Sequence, residues 1–469
     1  MIRFGTDGWR AVIGEEFTLE NVRRIGIAVA EYLRENAGRL PGRTDHVVIG
    51  HDTRGLGAEA STALAEVLGA RGIRATLGRG VVPTPAVSRA VKDRGLALGL
   101  MVTASHNPAR YNGIKLKAHY GGSALPEIYD AVARKTAAAA PIPSPAPPAD
   151  EADLLGPFLD YLEASVDASL IRKARLAAGW DPMHGASCVV FPALAGRLGL
   201  RFDMPFGTPE ASFGGRDPEP IPRNIEPTRA HFRGRAFDAV GIADGDGDRL
   251  GMLLPDGAFV TPHQILSLLS LYVLEVKGWR RGIARTFSSS FWLDRIARSF
   301  GVPLYETGIG FKYLCPLLLE GKVSIAGEES GGVAFAPTLP ERDALLAFSM
   351  VLEMLAHRGH PLAECLADLT RRFGELFYDR RDLECPVDQG LALTERLMRR
   401  PPAEVAGRRV TAARDTDGVK FLFGEEGWLL LRASGTEPLL RIYSEMPSRE
   451  AVAEVLDAAQ RLARQELQA

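Results

Sequence analysis

The sequence predicts an α/β protein divided into several domains, and three observations carry that expectation. Strand-like and helix-like segments alternate along most of the chain, the arrangement that builds βαβ units and a mainly parallel sheet. Continuous apolar runs of strand length occur, such as Leu96–Val102, as expected of strands covered on both faces. The chain has 469 residues, more than one hydrophobic core can organise, since single cores stop growing near ~250–300 residues.

Thr18 can cap a first helix whose apolar positions Val22, Ile25, Val29 and Leu33 follow helical spacing, with Gly38 as its stop. His46–Gly50 reads as a short buried strand, residues 58–71 as a second helix and Leu96–Val102 as a further strand. Ala137–Asp150 is rich in alanine and proline and reads as a linker, because proline removes backbone donors and favours extended geometry. A second unit should end near the strand Phe237–Ala243. A third carries an apolar helix at 262–276 and a strand at 322–326. The last begins near 375, with two strands (WLLLRAS and LLRIYSE) and then a helix from Ser448. The expected domains are therefore 1–145, 150–250, 251–370 and 375–469. No exact internal repeat is visible.

Composition limits the partners. Lys plus Arg number 56 and Asp plus Glu 58, a net charge of −2, so no global positive field exists to hold nucleic acid or an anionic membrane. Any anion site must be local. The four cysteines, Cys188, Cys315, Cys365 and Cys385, lie far apart, giving neither a zinc frame nor a dense disulfide framework. The N-terminus lacks a signal-peptide pattern. The longest apolar stretch, Ile265–Leu274, is far short of the ~20 residues that span a bilayer. A soluble cytoplasmic protein is expected.

Four loops carry chemistry. Thr103-Ala104-Ser105-His106-Asn107-Pro108 follows a strand and offers an exposed hydroxyl, so Ser105 reads as a nucleophile or phosphoryl carrier. A plain strand-end turn is the alternative. Asp244-Gly245-Asp246-Gly247-Asp248-Arg249 sets three carboxylates at alternate positions. Alone they repel one another, and a hard cation is their natural partner. An EF-hand is excluded, because its sixth and twelfth positions fall on Arg249 and Pro255. Gly327-Glu328-Glu329-Ser330-Gly331-Gly332 pairs carboxylates able to accept from vicinal sugar hydroxyls, or else is a polar turn. Arg432-Ala433-Ser434-Gly435-Thr436-Glu437-Pro438, with Arg441 beyond, suits a phosphate cradle or an ordinary turn between strands. Together the four loops indicate phosphoryl transfer on a sugar phosphate. No Walker loop is present.

The ordered motifs TASHNP, DGDGDR, GEES and RASGTEP, with FGTDGWR (Phe4–Arg10) and YNGIK (Tyr111–Lys115), resemble the α-D-phosphohexomutase superfamily over nearly the whole chain. The resemblance implies three related α/β domains and a fourth α+β domain like the TATA-binding protein, around a central cleft. It implies that Ser105 is the phosphorylated serine and that Asp244, Asp246 and Asp248 hold one Mg²⁺ with a phosphoserine oxygen. Arg10, His106, Lys115 and Arg249 are the expected catalytic residues, Lys115 being a candidate general acid/base. Glu328 and Ser330 resemble the sugar-hydroxyl loop, with Lys312 and Arg342 as further substrate contacts. Arg432, Ser434, Gly435, Thr436 and Arg441 resemble the clamp on the non-reacting phosphate. A hexose 1,6-bisphosphate is the implied activator and a hexose monophosphate the substrate, in a monomer or homodimer. GEESGG and Gly310-Phe311-Lys312 resemble glucose-type enzymes, so glucose phosphate ranks before mannose phosphate and glucosamine phosphate. Relatives that act on both glucose and mannose often carry His at the positions of Gly332 and near Ile309. A catalytically inactive sugar-phosphate sensor and a Mg²⁺-dependent sugar phosphatase are the competing readings.

Overall fold

The computed structural model describes residues 2–5, 7–136, 149–434 and 438–468. Most of the proline-rich linker lies outside the described residues, as do Gly435 and Thr436.

Three α/β sheets repeat one topology. In the first, the strands His46–His51, Arg74–Gly78 and Leu98–Val102 run parallel with the earliest in the middle, and Tyr111–Ala118 then returns antiparallel to Leu98–Val102. The second sheet repeats this with Ala177–Asp181, Arg201–Asp203 and Ala239–Ala243, and Leu250–Leu253 as the returning strand. The third does so with Ile283–Thr286, Leu304–Thr307 and Ile325–Gly327, and Val333–Phe335 returning. The serine, metal and sugar loops occupy the same place in each sheet, between the last parallel strand and its antiparallel neighbour. The three related units that the motif resemblance implies are thus matched by one shared topology, although no repeat is visible in the sequence.

The local chemistry explains the elements. The Thr18 hydroxyl accepts from the Asn21 amide at 3.2 Å and starts the helix Leu19–Glu35, a cap worth ~1 kcal/mol. That helix ends at Asn36, before Gly38, which takes a left-handed φ of 75°. A capping box of Thr261 and Gln264 opens the helix Pro262–Glu275, whose residues Ile265 to Leu274 are all buried. A helix apolar on every side belongs inside a core, and here it lies between the second and third sheets.

The fourth unit is one antiparallel sheet in the order Phe377–Glu384, Leu439–Met446, Trp428–Ala433, Val419–Leu422 and Ala412–Arg414. Strand alternation divides its side chains. Leu429, Leu431, Leu440 and Ile442 pack under the helices Val387–Arg399 and Arg449–Gln468. Trp428, Leu430 and Tyr443 turn the other way and join the core shared with the second and third units.

Several elements differ from expectation. Asp150–Ala152 returns to pair with Arg74–Gly78, so the first sheet closes with chain that follows the linker. The second sheet extends to Val260, past the boundary drawn at 250, because Leu250–Leu253 is bonded on both edges. Residues 322–324 are not strand, and the ladder covers Ile325–Gly327. Tyr111–Ala118 is a long buried strand whose alternating Lys115 and Lys117 conceal its apolar face.

Candidate active site

Ser105 lies in the loop after the buried strand Leu98–Val102 and takes a left-handed φ of 54°, strain that a non-glycine residue holds only where its surroundings impose it. The surroundings are Asp52 and Arg54, just past the neighbouring strand. Arg54 donates to the carbonyls of Ser105 at 2.5 Å, Asn107 at 2.6 Å, Pro108 at 2.9 Å and Tyr111 at 3.0 Å, gathering the whole loop around one guanidinium. Asp52 holds that guanidinium at 3.3 Å and accepts from Thr103, whose hydroxyl accepts from the Ser105 amide at 2.8 Å. Arg10 donates to the Asn107 side chain at 2.6 Å. Ser105 itself is fully buried rather than exposed, because the metal loop covers it: its hydroxyl donates to Asp244 Oδ2 at 2.8 Å. Burial, with Arg249 and Arg10 nearby, pushes the His106 imidazole well below its usual range.

Asp244, Asp246 and Asp248 each offer a carboxylate oxygen within 4.8 Å of the others, and all three are buried. Among the described residues, Asp246 Oδ1 and Asp248 Oδ1 have no hydrogen-bond partner. Burial, and then Asp246 and Asp248, hold the Asp244 carboxyl well above the usual carboxylate range. Orphaned oxygens among mutually repelling carboxylates are what a bound divalent cation would relieve, and an all-oxygen set suits Mg²⁺. Lys115 supplies part of the positive charge. Its ammonium donates to Asp246 Oδ2 at 2.8 Å and Asp248 Oδ2 at 2.9 Å and lies 3.1 Å from Asp7. Burial opposes the charge on Lys115, but these carboxylates outweigh it and raise its pKa. Thr84 also donates to Asp246 Oδ2, at 2.5 Å. Arg249 Nε stands 3.9 Å from both Asp244 Oδ2 and Asp248 Oδ1.

The sugar loop joins through Arg342. Its guanidinium donates to Glu328 Oε2 at 3.1 Å, to Asp248 Oδ2 at 2.8 Å and to Asp7. A Cβ on Gly332 would lie 2.2 Å from Arg342 Cδ. The absence of a histidine there is therefore a packing consequence: Arg342 fills the space. Burial raises the Glu328 carboxyl despite Arg342. Glu329 accepts from Thr286 at 3.1 Å, and Ser330 is half-buried beside it. Lys312 lies over the Tyr313 ring, 5.1 Å from its centroid.

Arg432 and Arg441 are directly opposed across the two strands they occupy. They share the sheet face of Trp428, Leu430 and Tyr443, which looks towards the third domain. Like charges opposed in a sheet repel, and an anion between them removes that cost. Asp417 accepts from Arg432 Nε at 2.8 Å. Ser434 is buried at the end of its strand. The sequence reading missed Asp7, Asp52, Arg54, Thr84 and Asp417. A signal existed for two of them: His51-Asp52-Thr53-Arg54-Gly55 follows a buried strand, as the serine loop does.

A buried serine on a strained turn, a carboxylate cage and an opposed arginine pair define a phosphoryl-transfer enzyme of the sugar-phosphate kind. Models of the phosphoglucomutase/phosphomannomutase family match in sequence: α/β/α domain I over residues 1–141, domain II over 156–257, domain III over 261–373 and the C-terminal domain over 392–462. A phosphoglucomutase/phosphomannomutase from Thermococcus kodakarensis is 30% identical over 97% of this chain and 96% of its own. A phosphoglucosamine mutase from Thermobifida fusca is 29% identical over 99% and 98%. A solved structure from Thermus thermophilus, provisionally described as a phosphomannomutase, superposes with a TM-score of 0.88 at 33% identity, covering 99% of both chains. The chain belongs to the α-D-phosphohexomutase superfamily and is a hexose-phosphate mutase, an isomerase. Among the described residues no helix is long and apolar enough to cross a membrane.

Proposed function

We propose that this enzyme interconverts glucose 1-phosphate and glucose 6-phosphate through a phosphorylated Ser105 and a glucose 1,6-bisphosphate intermediate. The observation that carries the reading is the Ser105 hydroxyl on Asp244 at 2.8 Å, beside two carboxylate oxygens that have no hydrogen-bond partner among the described residues. Asp244, Asp246, Asp248 and a phosphoserine oxygen would hold Mg²⁺, which supplies charge neutralisation for phosphoryl transfer. The strained turn and Arg54 fix the serine for in-line attack by a sugar hydroxyl. Lys115, whose ammonium donates to Asp246 and Asp248 in the same cage, is the candidate general acid/base. His106, next to Ser105 in the serine loop, is a further candidate for handling the proton of the attacking hydroxyl. Arg249 and Arg10 add positive charge where the phosphoryl group passes. Glu328 and Ser330 orient the sugar hydroxyls, and Arg432, Ser434, Gly435, Thr436 and Arg441 hold the phosphate that does not react. The bisphosphate then turns over in place and returns its other phosphate to Ser105, so added bisphosphate primes the enzyme.

Glucose is favoured by the GEESGG loop and by Gly310-Phe311-Lys312. The test is turnover of glucose 1-phosphate, mannose 1-phosphate and glucosamine 1-phosphate with matched bisphosphate. The highest kcat/KM is expected for the glucose compound. Preference for glucosamine 1-phosphate would overturn the substrate assignment. Accumulation of inorganic phosphate would favour the phosphatase reading, and binding without turnover the sensor.

A further inference from the structure

One hairpin of the fourth domain reaches into the third. Its strands are Ala412–Arg414 and Val419–Leu422, and Arg414 and Lys420 are opposed across it. This like-charged pair is reconciled by one third-domain carboxylate, Glu306. Arg414 donates to Glu306 Oε1 at 3.0 Å and Lys420 to Oε2 at 3.0 Å. Lys420 is fully buried and also donates to the Phe287 carbonyl at 2.7 Å. The hairpin is therefore seated by charge as well as by packing.

The turn between those strands carries Asp417, whose two oxygens face different domains. Oδ1 accepts from Arg432 Nε at 2.8 Å, within the fourth domain. Oδ2 accepts from the Ile309 amide at 2.9 Å, in the third-domain loop that leads into the helix Phe311–Leu319 and Lys312. Both contacts depend on glycine. Gly418 has φ +91°, and a Cβ there would stand 2.4 Å from the Leu431 carbonyl, so the turn rests directly on the strand that presents Arg432. Gly310 has φ 131°, a conformation closed to other residues, and it sets the path of the Ile309 loop. An Nε contact orients a guanidinium while its four other N–H donors sit on the Nη nitrogens, the ones that can fork onto a phosphate.

We propose that Asp417 is a positioning residue that couples the grip of Arg432 on the non-reacting phosphate to the docking of the fourth domain on the third, so that the bisphosphate intermediate is retained while it turns over. The inference rests on the mutase reading above. Holding the phosphate and holding the domain closed then share one carboxylate. Loosening it should let the intermediate escape before the second transfer, because an open domain exposes it to solvent.

The test compares wild type with Asp417→Asn and Asp417→Ala, measuring KM and kcat with glucose 1-phosphate and the glucose 1,6-bisphosphate released per turnover. Asp417→Asn keeps an oxygen for the Ile309 amide but loses the charge beside Arg432. Asp417→Ala loses both contacts. The expectation is a tenfold or greater rise in KM for both variants. Bisphosphate release should rise about tenfold for Asp417→Ala and less for Asp417→Asn, with a matching increase in dependence on added bisphosphate. Lowered thermal stability with unchanged KM and unchanged release would overturn the coupling and leave Asp417 a structural tie. A wild-type enzyme that does not interconvert the sugar phosphates would overturn the mutase reading itself, an outcome visible before any variant is made.

Discussion

Lys115→Met removes one positive charge from the metal cage while keeping most of the side-chain volume. In the structure the Lys115 ammonium lies 2.8, 2.9 and 3.1 Å from carboxylate oxygens of Asp246, Asp248 and Asp7, all buried. At an effective dielectric of ~20 each such pair is worth about 5 kcal/mol before the cost of burying the charges. Deleting one partner of a buried ion pair costs a net ~3–5 kcal/mol, because the remaining charges are left uncompensated. Mg²⁺ can restore part of that compensation, since the orphaned oxygens of Asp246 and Asp248 stand in the same cage. The wild-type protein should gain ~2.7 kcal/mol from Mg²⁺ at a hundred times its Kd. The variant should gain at least ~1.4 kcal/mol more, equivalent to a tenfold tighter Kd. Thermal unfolding in chelator and in a Mg²⁺ titration reads both quantities, and turnover of the variant should fall steeply even at saturating Mg²⁺. An equal loss of stability with and without Mg²⁺ would refute the idea that lysine and cation serve the same carboxylates.

The other predictions follow from neighbouring parts of the site. Intact-mass and peptide analysis should find one phosphoryl group on Ser105 in a fraction of chains; Ser105→Ala should lack it and lose turnover while still binding glucose 1-phosphate by calorimetry. Arg441→Ala should weaken that binding by ~2–4 kcal/mol while leaving phosphorylation of Ser105 by bisphosphate comparatively intact, and normal binding would reduce the arginine pair to a feature of the sheet. Asp343 caps the helix Ala344–Arg358 through the Leu346 amide at 3.0 Å, but its Oδ2 is buried without a partner, and burial pushes the carboxyl up to about 7. The folded state therefore binds the extra proton between the unfolded value of ~3.9 and that raised value, so this group's contribution to stability falls as pH rises through the window. Asp343→Asn keeps the cap and removes the titration; urea unfolding should show it gaining on wild type between pH 5 and pH 8, and a constant difference would contradict the burial argument.

Much of the site was legible because its chemistry is concentrated in short loops between buried strands. Three aspartates at alternate positions after Ala239–Ala243 need no tertiary knowledge to suggest a cation. Ser105 and Arg432 were likewise marked by the strands before them. What the sequence concealed are groups whose meaning lies in long-range contacts. Arg54 serves Ser105 across 51 positions of chain, and Thr84 reaches Asp246 across 162. Nothing around Thr84 marks it, and Arg54 is marked only by the strand it follows. The strand Tyr111–Ala118 was hidden for a related reason. Lys115 and Lys117 look like solvent-facing alternation, yet both are buried, because Asp246, Asp248 and Glu341 come from other domains to meet them. The relation of the three α/β units showed only through the family resemblance of the motifs, since the shared topology resides in strand pairing rather than in residue identity.

That shared topology explains why the charges meet. Each α/β unit contributes the loop between its last parallel strand and the antiparallel return, and around these loops one connected network forms. Asp7, Thr84 and Lys115 belong to the first unit, Asp246 and Asp248 to the second, and Glu328 and Arg342 to the third. The carboxylates of the second and third of these loops would repel one another if they met without cations from other parts of the chain. Instead, Lys115 of the first unit neutralises carboxylates of the second, and Arg342 of the third neutralises carboxylates of the first and second. The domains are thereby held in the arrangement the chemistry needs by the residues that surround the reacting serine. Gly332 marks the limit of this arrangement. A side chain there would displace Arg342 at 2.2 Å and break contacts in all three units at once. Glu328 is held in the same network by Arg342, so substitutions at Gly332 and at Glu328 act on the same contacts.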